Sequence, residues 1–204
     1  MRITIFGATG RVGQEILRRA LADGHQVKVL VRSPKLEVHT NLEMITGDVR
    51  NKKHVKQAIQ EAELVFSVLG TDRTTTLSEA MPLIIDAMEK QGIQRLITIG
   101  TAGILDSRLT PGVLRYQGGD SNRKLTFAAE EHKKAYRLLE ASELDWTIVC
   151  PTYLPDGEAR GSYRTEKDFL PEEGKEITVG DTAEFAYKQM ENLEFIRRRV
   201  GISY

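Results

Sequence analysis

Ile3-Thr4-Ile5-Phe6-Gly7-Ala8-Thr9-Gly10-Arg11-Val12-Gly13-Gln14-Glu15-Ile16-Leu17 is the stretch that decides the fold. An apolar, β-branched run is followed at once by three glycines in the spacing Gly-x-x-Gly-x-x-Gly, and then by residues that open a helix. The stretch reads as strand, glycine turn, helix. Gly7 lets the chain leave the strand in a conformation that a Cβ penalises. Gly10 lets the main chain approach a ligand, and Gly13 lets the helix lie close on the strand. Such a turn aims backbone N–H groups and the positive end of a helix dipole at one point, which is the arrangement that holds a dinucleotide's pyrophosphate. Thr9, Arg11 and Val12 share the turn and join the three glycines as candidate cofactor-binding residues. Arg11 either adds to that pocket or faces water.

Outward from the turn, strand and helix alternate. Gln26 to Val31, Leu42 to Thr46, Leu64 to Leu69, Arg95 to Ile99 and Trp146 to Cys150 read as buried strands, separated by helices at Lys53 to Gln60, Thr76 to Gln91 and Phe127 to Ala141. Thr76 and Glu79 fit a capping box, and Gly92 fits a helix stop, while Pro82 predicts a bend or a later start. Short strands are expected at Gly161 to Thr165 and Glu176 to Val179. A last helix, capped by Asp181 with Glu184, should reach about Asn192, and a final strand runs from Arg198 to Ser203. Alternation of this kind implies an α/β fold: a Rossmann-like, doubly wound parallel sheet with helices on both faces.

The chain of 204 residues suits one domain, with residues 151–204 contributing the substrate side. Lysine plus arginine and aspartate plus glutamate number 29 each, so no basic excess points to nucleic acid or to an anionic membrane. The single cysteine, Cys150, ends an apolar run and reads as a buried thiol; its solitude, with no signal peptide or membrane span evident, predicts a cytoplasmic protein. His25, His39 and His54 form no metal-ligand spacing with one another or with Cys150, and no metal is expected.

Ligands on a doubly wound sheet sit at the carboxyl ends of its strands. That rule selects Arg32 and Ser33, Asp48 and Val49, Leu69, Gly70 and Thr71, Thr101, and Pro151, Thr152 and Tyr153. Folds that bind NAD place an acidic residue about 20 positions beyond the glycine turn, where it holds the ribose 2′-hydroxyl. Here that place holds Arg32-Ser33, and a guanidinium pairs with a 2′-phosphate, so NADP(H) is expected in preference to NAD(H). Arg32 could equally be a solvated charge at a strand end. Asp48 either contacts the adenine amine or caps the following helix. Residues 102–126 show no clean period and form a candidate lid.

With Gly7-Ala8-Thr9-Gly10-Arg11-Val12-Gly13, Val29-Leu30-Val31-Arg32, Gly47-Asp48-Val49, Val68-Leu69-Gly70-Thr71 and Asp145 to Pro151 in place, the sequence resembles the NmrA-like, atypical short-chain dehydrogenase/reductases over nearly its whole length. It is similar in particular to their small flavin-reductase type. That resemblance implies an NAD(P)H-dependent oxidoreductase. Where the flavin-reductase type has a serine after the fifth strand this chain has Thr101, and where it has a histidine after the sixth-strand proline this chain has Tyr153.

Many short-chain dehydrogenases use Tyr-x-x-x-Lys on the helix after the fifth strand. Tyr136 and Tyr116 lack the lysine, and Tyr163 with Lys167 has the spacing in the wrong part of the topology. What remains is hydride transfer that needs little help from the protein, to a planar acceptor such as a flavin, quinone or tetrapyrrole. Thr101, Tyr153 and, less directly, His132 are the candidate catalytic residues. Thr101 either bonds the acceptor or satisfies its own backbone, Tyr153 either meets the acceptor or packs at the rim, and His132 either serves the site or is solvated. A non-catalytic NADP(H) sensor of the NmrA-like kind is the alternative function.

Overall fold

Five helices and eight strands follow one another in the computed structural model, which describes residues 1–33, 36–71, 73–121 and 125–204. The strands are β1 (Arg2–Phe6), β2 (Gln26–Val31), β3 (Leu42–Thr46), β4 (Leu64–Ser67), β5 (Arg95–Ile99), β6 (Asp145–Pro151), β7 (Arg164–Lys167) and β8 (Arg198–Ser203). The helices are α1 (Arg11–Ala22), α2 (Lys52–Ile59), α3 (Thr76–Gln91), α4 (Phe127–Ala141) and α5 (Val179–Lys188). The strands form a single sheet in the order β3-β2-β1-β4-β5-β6-β8-β7. Every pairing is parallel except that of β7 with β8, which closes the far edge as an antiparallel ribbon.

Two-sided burial explains the apolar strands. On one face Phe6, Val65, Leu96, Trp146 and Ile148 pack under α2, α3 and α4; on the other Ile3, Ile5, Phe66, Ile97 and Val149 pack under α1 and α5. β1 shows the alternation directly, with Ile3 and Ile5 on one side and Phe6 on the other, while Thr4 between them donates its hydroxyl to the carbonyl of Ala58 in α2. No helix among the described residues is long and apolar enough to cross a membrane.

Several helix ends differ from the sequence expectation, each for a local reason. α3 does run from Thr76 through Pro82, but its N-cap is Thr75, whose hydroxyl bonds Glu79. Ser78 N–H in its first turn donates to Glu131 of α4, a wholly buried carboxylate that also holds Lys134 at 2.7 Å. α5 is capped by Thr178, whose hydroxyl accepts from Asp181 N–H, so Asp181 stands third in the helix and Glu184 pairs with Lys188. Capping at Thr178 removes the expected strand at 176–179, of which only a bridge between Tyr153 and Glu176 remains. The expected strand at 161–165 is shifted to Arg164–Lys167, because Gly161 turns at φ +73°.

Residues 102–121 are tied down along their length, contrary to a lid. Ala102–Ile104 is a 3-10 turn and Asp106 bridges to Leu114. Beneath them Arg199 of β8, 5% exposed, donates to the Ile104 carbonyl at 2.6 Å and to Asp106 at 2.8 Å, lies 3.3 Å from Asp168, and stacks on the Tyr136 ring. Burial opposes its charge, but Asp106, Tyr136 and Asp168 outweigh that and raise its pKa. Residues 122–124, part of the expected lid, lie outside the described residues. Removing a partner from a buried ion pair costs about 3–5 kcal/mol, less where the acids reach water, and Asp106 is half-exposed. Arg199→Met should therefore lower unfolding free energy by about 2 kcal/mol and bring early proteolytic cleavage into residues 105–121; urea titration and limited proteolysis check both.

Candidate functional site

Strand order reverses at β1, which has β2 on one side and β4 on the other. The loops leaving β1 and β4 must diverge there, and a cleft of about 300 Å³ opens between them, lined by Gly7, Thr9, Gly10, Arg32, Asp48, Arg50, Gly70 and their neighbours.

The three glycines of the turn have different reasons. Gly7 has φ +85°, and a Cβ on it would stand 2.4 Å from the Val68 carbonyl oxygen. A Cβ on Gly13 would stand 2.1 Å from the Gly7 carbonyl oxygen. Both positions are glycine because the fold's own backbone lies there. Gly10 is extended, with φ −78°, and a Cβ on it would meet nothing nearer than the Gly7 oxygen at 3.3 Å. That contact is tight, but far less so than the overlaps a Cβ would make at Gly7 or Gly13. Gly10 N–H closes the turn on the Gly7 carbonyl at 3.0 Å, and α1 then begins with no side-chain cap and no acidic residue in its first turn. The N–H groups of Arg11, Val12 and Gly13 precede the first intrahelical bonds and are positioned for an anion. Val12 itself is buried in the core, so it contributes only its backbone.

Of its two expected courses Arg11 takes the second and faces water, its side chain 57% exposed. It lines a groove outside the cleft, where its guanidinium donates to the Leu154 carbonyl at 3.0 Å and to Asp156 at 2.8 Å, tying the turn to the segment beyond β6.

Across the cleft, exposed Arg32 follows directly on β2 and belongs to the lining, with exposed Ser33 beside it. Asp48 and Val49 follow β3. Asp48 is not the cap of α2; that role is Asn51's, whose side chain accepts from Lys53 N–H. Asp48 instead accepts from Arg50, through its side chain and its backbone N–H, and these bonds with a smaller pull from Arg32 hold the carboxyl down to about 2. Leu69 and Gly70 line the cleft, whereas Thr71 turns its carbonyl to Thr74.

Thr101 lies in a separate pocket of about 50 Å³ with Thr152, Arg115, Tyr116 and the first turn of α4. Its hydroxyl accepts from Gly103 N–H at 3.4 Å, a long bond. The Thr101 hydroxyl thus satisfies its own backbone while the residue lines this pocket. Thr152 shares this pocket; Pro151 is buried in pairing with Ile202 of β8, and Tyr153 is 59% exposed and lines neither pocket. His132 lies one helical turn beyond the pocket, half-buried rather than solvated; burial pushes its pKa down to about 4 against the pull of Glu131. Tyr163 packs edge-on against Phe185 with its hydroxyl pKa raised by burial, while Lys167 pairs with Glu194 at 3.2 Å, so these two do not act as a proton-donating pair. Burial raises Cys150 to about 12, leaving an unreactive thiol.

Sequence reasoning missed Arg50, Tyr116 and Glu131. Arg50 stood next to two selected residues and was legible as a cation on a strand-end loop. Tyr116 and Glu131 act through contacts that no local pattern announces.

The NAD(P)H-binding family model matches residues 7–193, nearly all of the chain and the whole of this cleft. The uncharacterized protein YwnB of Bacillus subtilis is 25% identical over 200 residues, covering 95% of this chain and 92% of that protein. The nitrogen metabolite regulation-like protein bik4 of Gibberella fujikuroi is 28% identical over 127 residues, covering 56% of this chain and 37% of that protein. Among solved structures, a proposed NADH-flavin reductase of Streptococcus pneumoniae superposes with a TM-score of 0.83 at 24% identity, covering 100% of this chain and 99% of that one; this likeness establishes the fold.

The glycine analysis gives a paired expectation. Gly13→Ala should destabilise the protein by about 2 kcal/mol or more through backbone overpacking, whereas Gly10→Val should leave the melting temperature within a few degrees yet abolish dinucleotide binding. Thermal melts and calorimetric titration separate the two.

Proposed function

Because the chain belongs to the NAD(P)H-binding family, we propose that it is a reductase that uses NADP(H) in preference to NAD(H) and passes hydride to a planar acceptor of the flavin, quinone or tetrapyrrole type. The observation that carries this reading is the cleft itself. An uncapped helix N-terminus stands at one end and Arg32 at the other, in the place where a carboxylate would select NAD.

In this reading the amides of Arg11 to Gly13 hold the pyrophosphate, and the side chain that Gly10 lacks leaves room for it. Arg32 pairs with the 2′-phosphate. A bound dinucleotide supplies the hydride from its nicotinamide ring. Thr101 and Thr152, at the ends of β5 and β6, place hydroxyls where the acceptor would lie, and Tyr116 closes the pocket behind them. An acceptor that delocalises the incoming charge can take its proton from water, so the lack of a Tyr-x-x-x-Lys pair costs such an acceptor little. A ketone needs a placed proton donor, typically worth about 10² to 10⁴ in rate. The name of the Streptococcus structural neighbour supports a flavin as acceptor.

The name of bik4, a regulation-like protein, favours a second reading, a non-catalytic NADP(H) sensor. Turnover separates the two. Under the reductase reading, NADPH is oxidised with FMN, riboflavin or a quinone, and simple secondary alcohols are not oxidised with NADP⁺. Thr101→Ala should lower the rate at least several-fold and leave cofactor affinity within about twofold, since Thr101 stands on the acceptor side. Tight NADPH binding with no oxidation by any of these acceptors would replace the reductase with the sensor.

A further inference from the structure

Arg50 lines the same cleft wall as Arg32, on the loop that follows the neighbouring strand. Its Nε and one Nη donate side-on to the two oxygens of Asp48, at 3.1 and 2.7 Å. A guanidinium carries five N–H donors, so this pairing leaves three of them on the edge turned away from Asp48. The pair is open to solvent, with side chains 47% and 39% exposed, and an ion pair so placed adds little to stability. The loop does not depend on it. His54 Nδ1 accepts from Asp48 N–H at 3.0 Å and Asn51 N–H donates to the Asp48 carbonyl at 3.0 Å, and these bonds shape the turn without the arginine side chain.

The pair's consequence is therefore orientation. Asp48 is held ionised chiefly by its bonds to Arg50, with a smaller pull from Arg32. Among the described residues of the lining two guanidinium groups accompany one carboxylate, with Glu79 a further acid acting on Arg50 and itself bonded to Thr75. Asp48, the one acidic side chain among the described residues of the lining, is engaged by Arg50.

We propose that Arg50, braced by Asp48, is the second cation of a 2′-phosphate site and meets that phosphate beside Arg32, from the neighbouring strand-end loop. The inference rests on the NADP(H) reading and adds a specificity-determining residue to it. Two cations on different loops grip one phosphate together, which a single arginine cannot do.

Calorimetric titration with 2′,5′-ADP and 5′-AMP tests this directly, because the two probes differ only in the 2′-phosphate. Wild type should favour 2′,5′-ADP. Arg50→Ala should weaken 2′,5′-ADP about tenfold and leave 5′-AMP within about twofold, and Arg50→Lys, which keeps the charge without the fork, should retain part of the preference. Melting curves confirm that each variant is folded. If Arg32→Ala abolishes the preference and Arg50→Ala leaves it intact, or if Arg50→Ala weakens both probes equally as a stacking residue would, the proposal is overturned while the NADP(H) reading stands. If wild type does not favour 2′,5′-ADP at all, both fall together.

Discussion

The structure depends on one close approach: the first turn of α1 lies against the carbonyl of Gly7, so near that a single methyl group on Gly13 would collide with it at 2.1 Å. That contact fixes where α1 begins relative to the end of β1. It sets the helix N-terminus at the point where the sheet reverses its order, and no acidic side chain in the first turn covers it. The proposed anion site follows from that placement, because the useful amides are the ones the helix cannot satisfy itself.

The C-terminal quarter of the chain is joined to this frame by charged and polar ties rather than by further apolar layers alone. Arg11 anchors the segment at Leu154 and Asp156 to the turn. Asp181, wholly buried at the start of α5, accepts from the N–H groups of Arg160 and Gly161 and from the Tyr204 hydroxyl, and these bonds hold its pKa down against burial. Arg199 fastens residues 104–106 to β8 from below. The pocket around Thr101 and Thr152 is thus bounded by segments fixed from several directions.

Much of this was legible in the sequence where the period was strong. β2, β3, β5, β8, α3 and α4 begin and end where apolar spacing and Gly92 predict, because two-sided burial and a left-handed stop leave clear marks. That the glycine turn and the ends of the neighbouring strands line one cleft was legible too, since these are local features. The errors fall where a boundary is decided by a competing cap or by a distant partner. Thr178 outcompeted Asp181 as a cap and turned an expected strand into a helix start. Arg11 found its partners 143 and 145 residues away, and Glu131 met the first turn of α3 across 53 residues. The spacing of Tyr163 and Lys167 shows the converse: a motif counted along the chain means nothing when the fold sends its members to different neighbours.

The most direct test of the account is a crystal structure of the protein grown with NADP⁺. The account predicts the pyrophosphate against the amides of Arg11 to Gly13 with its oxygens over Gly10, the adenosine end towards Arg32, and the nicotinamide ring at the ends of β4 and β5 beside Thr101. A dinucleotide found elsewhere on the surface, or one bound in this cleft with its nicotinamide remote from Thr101, would contradict it.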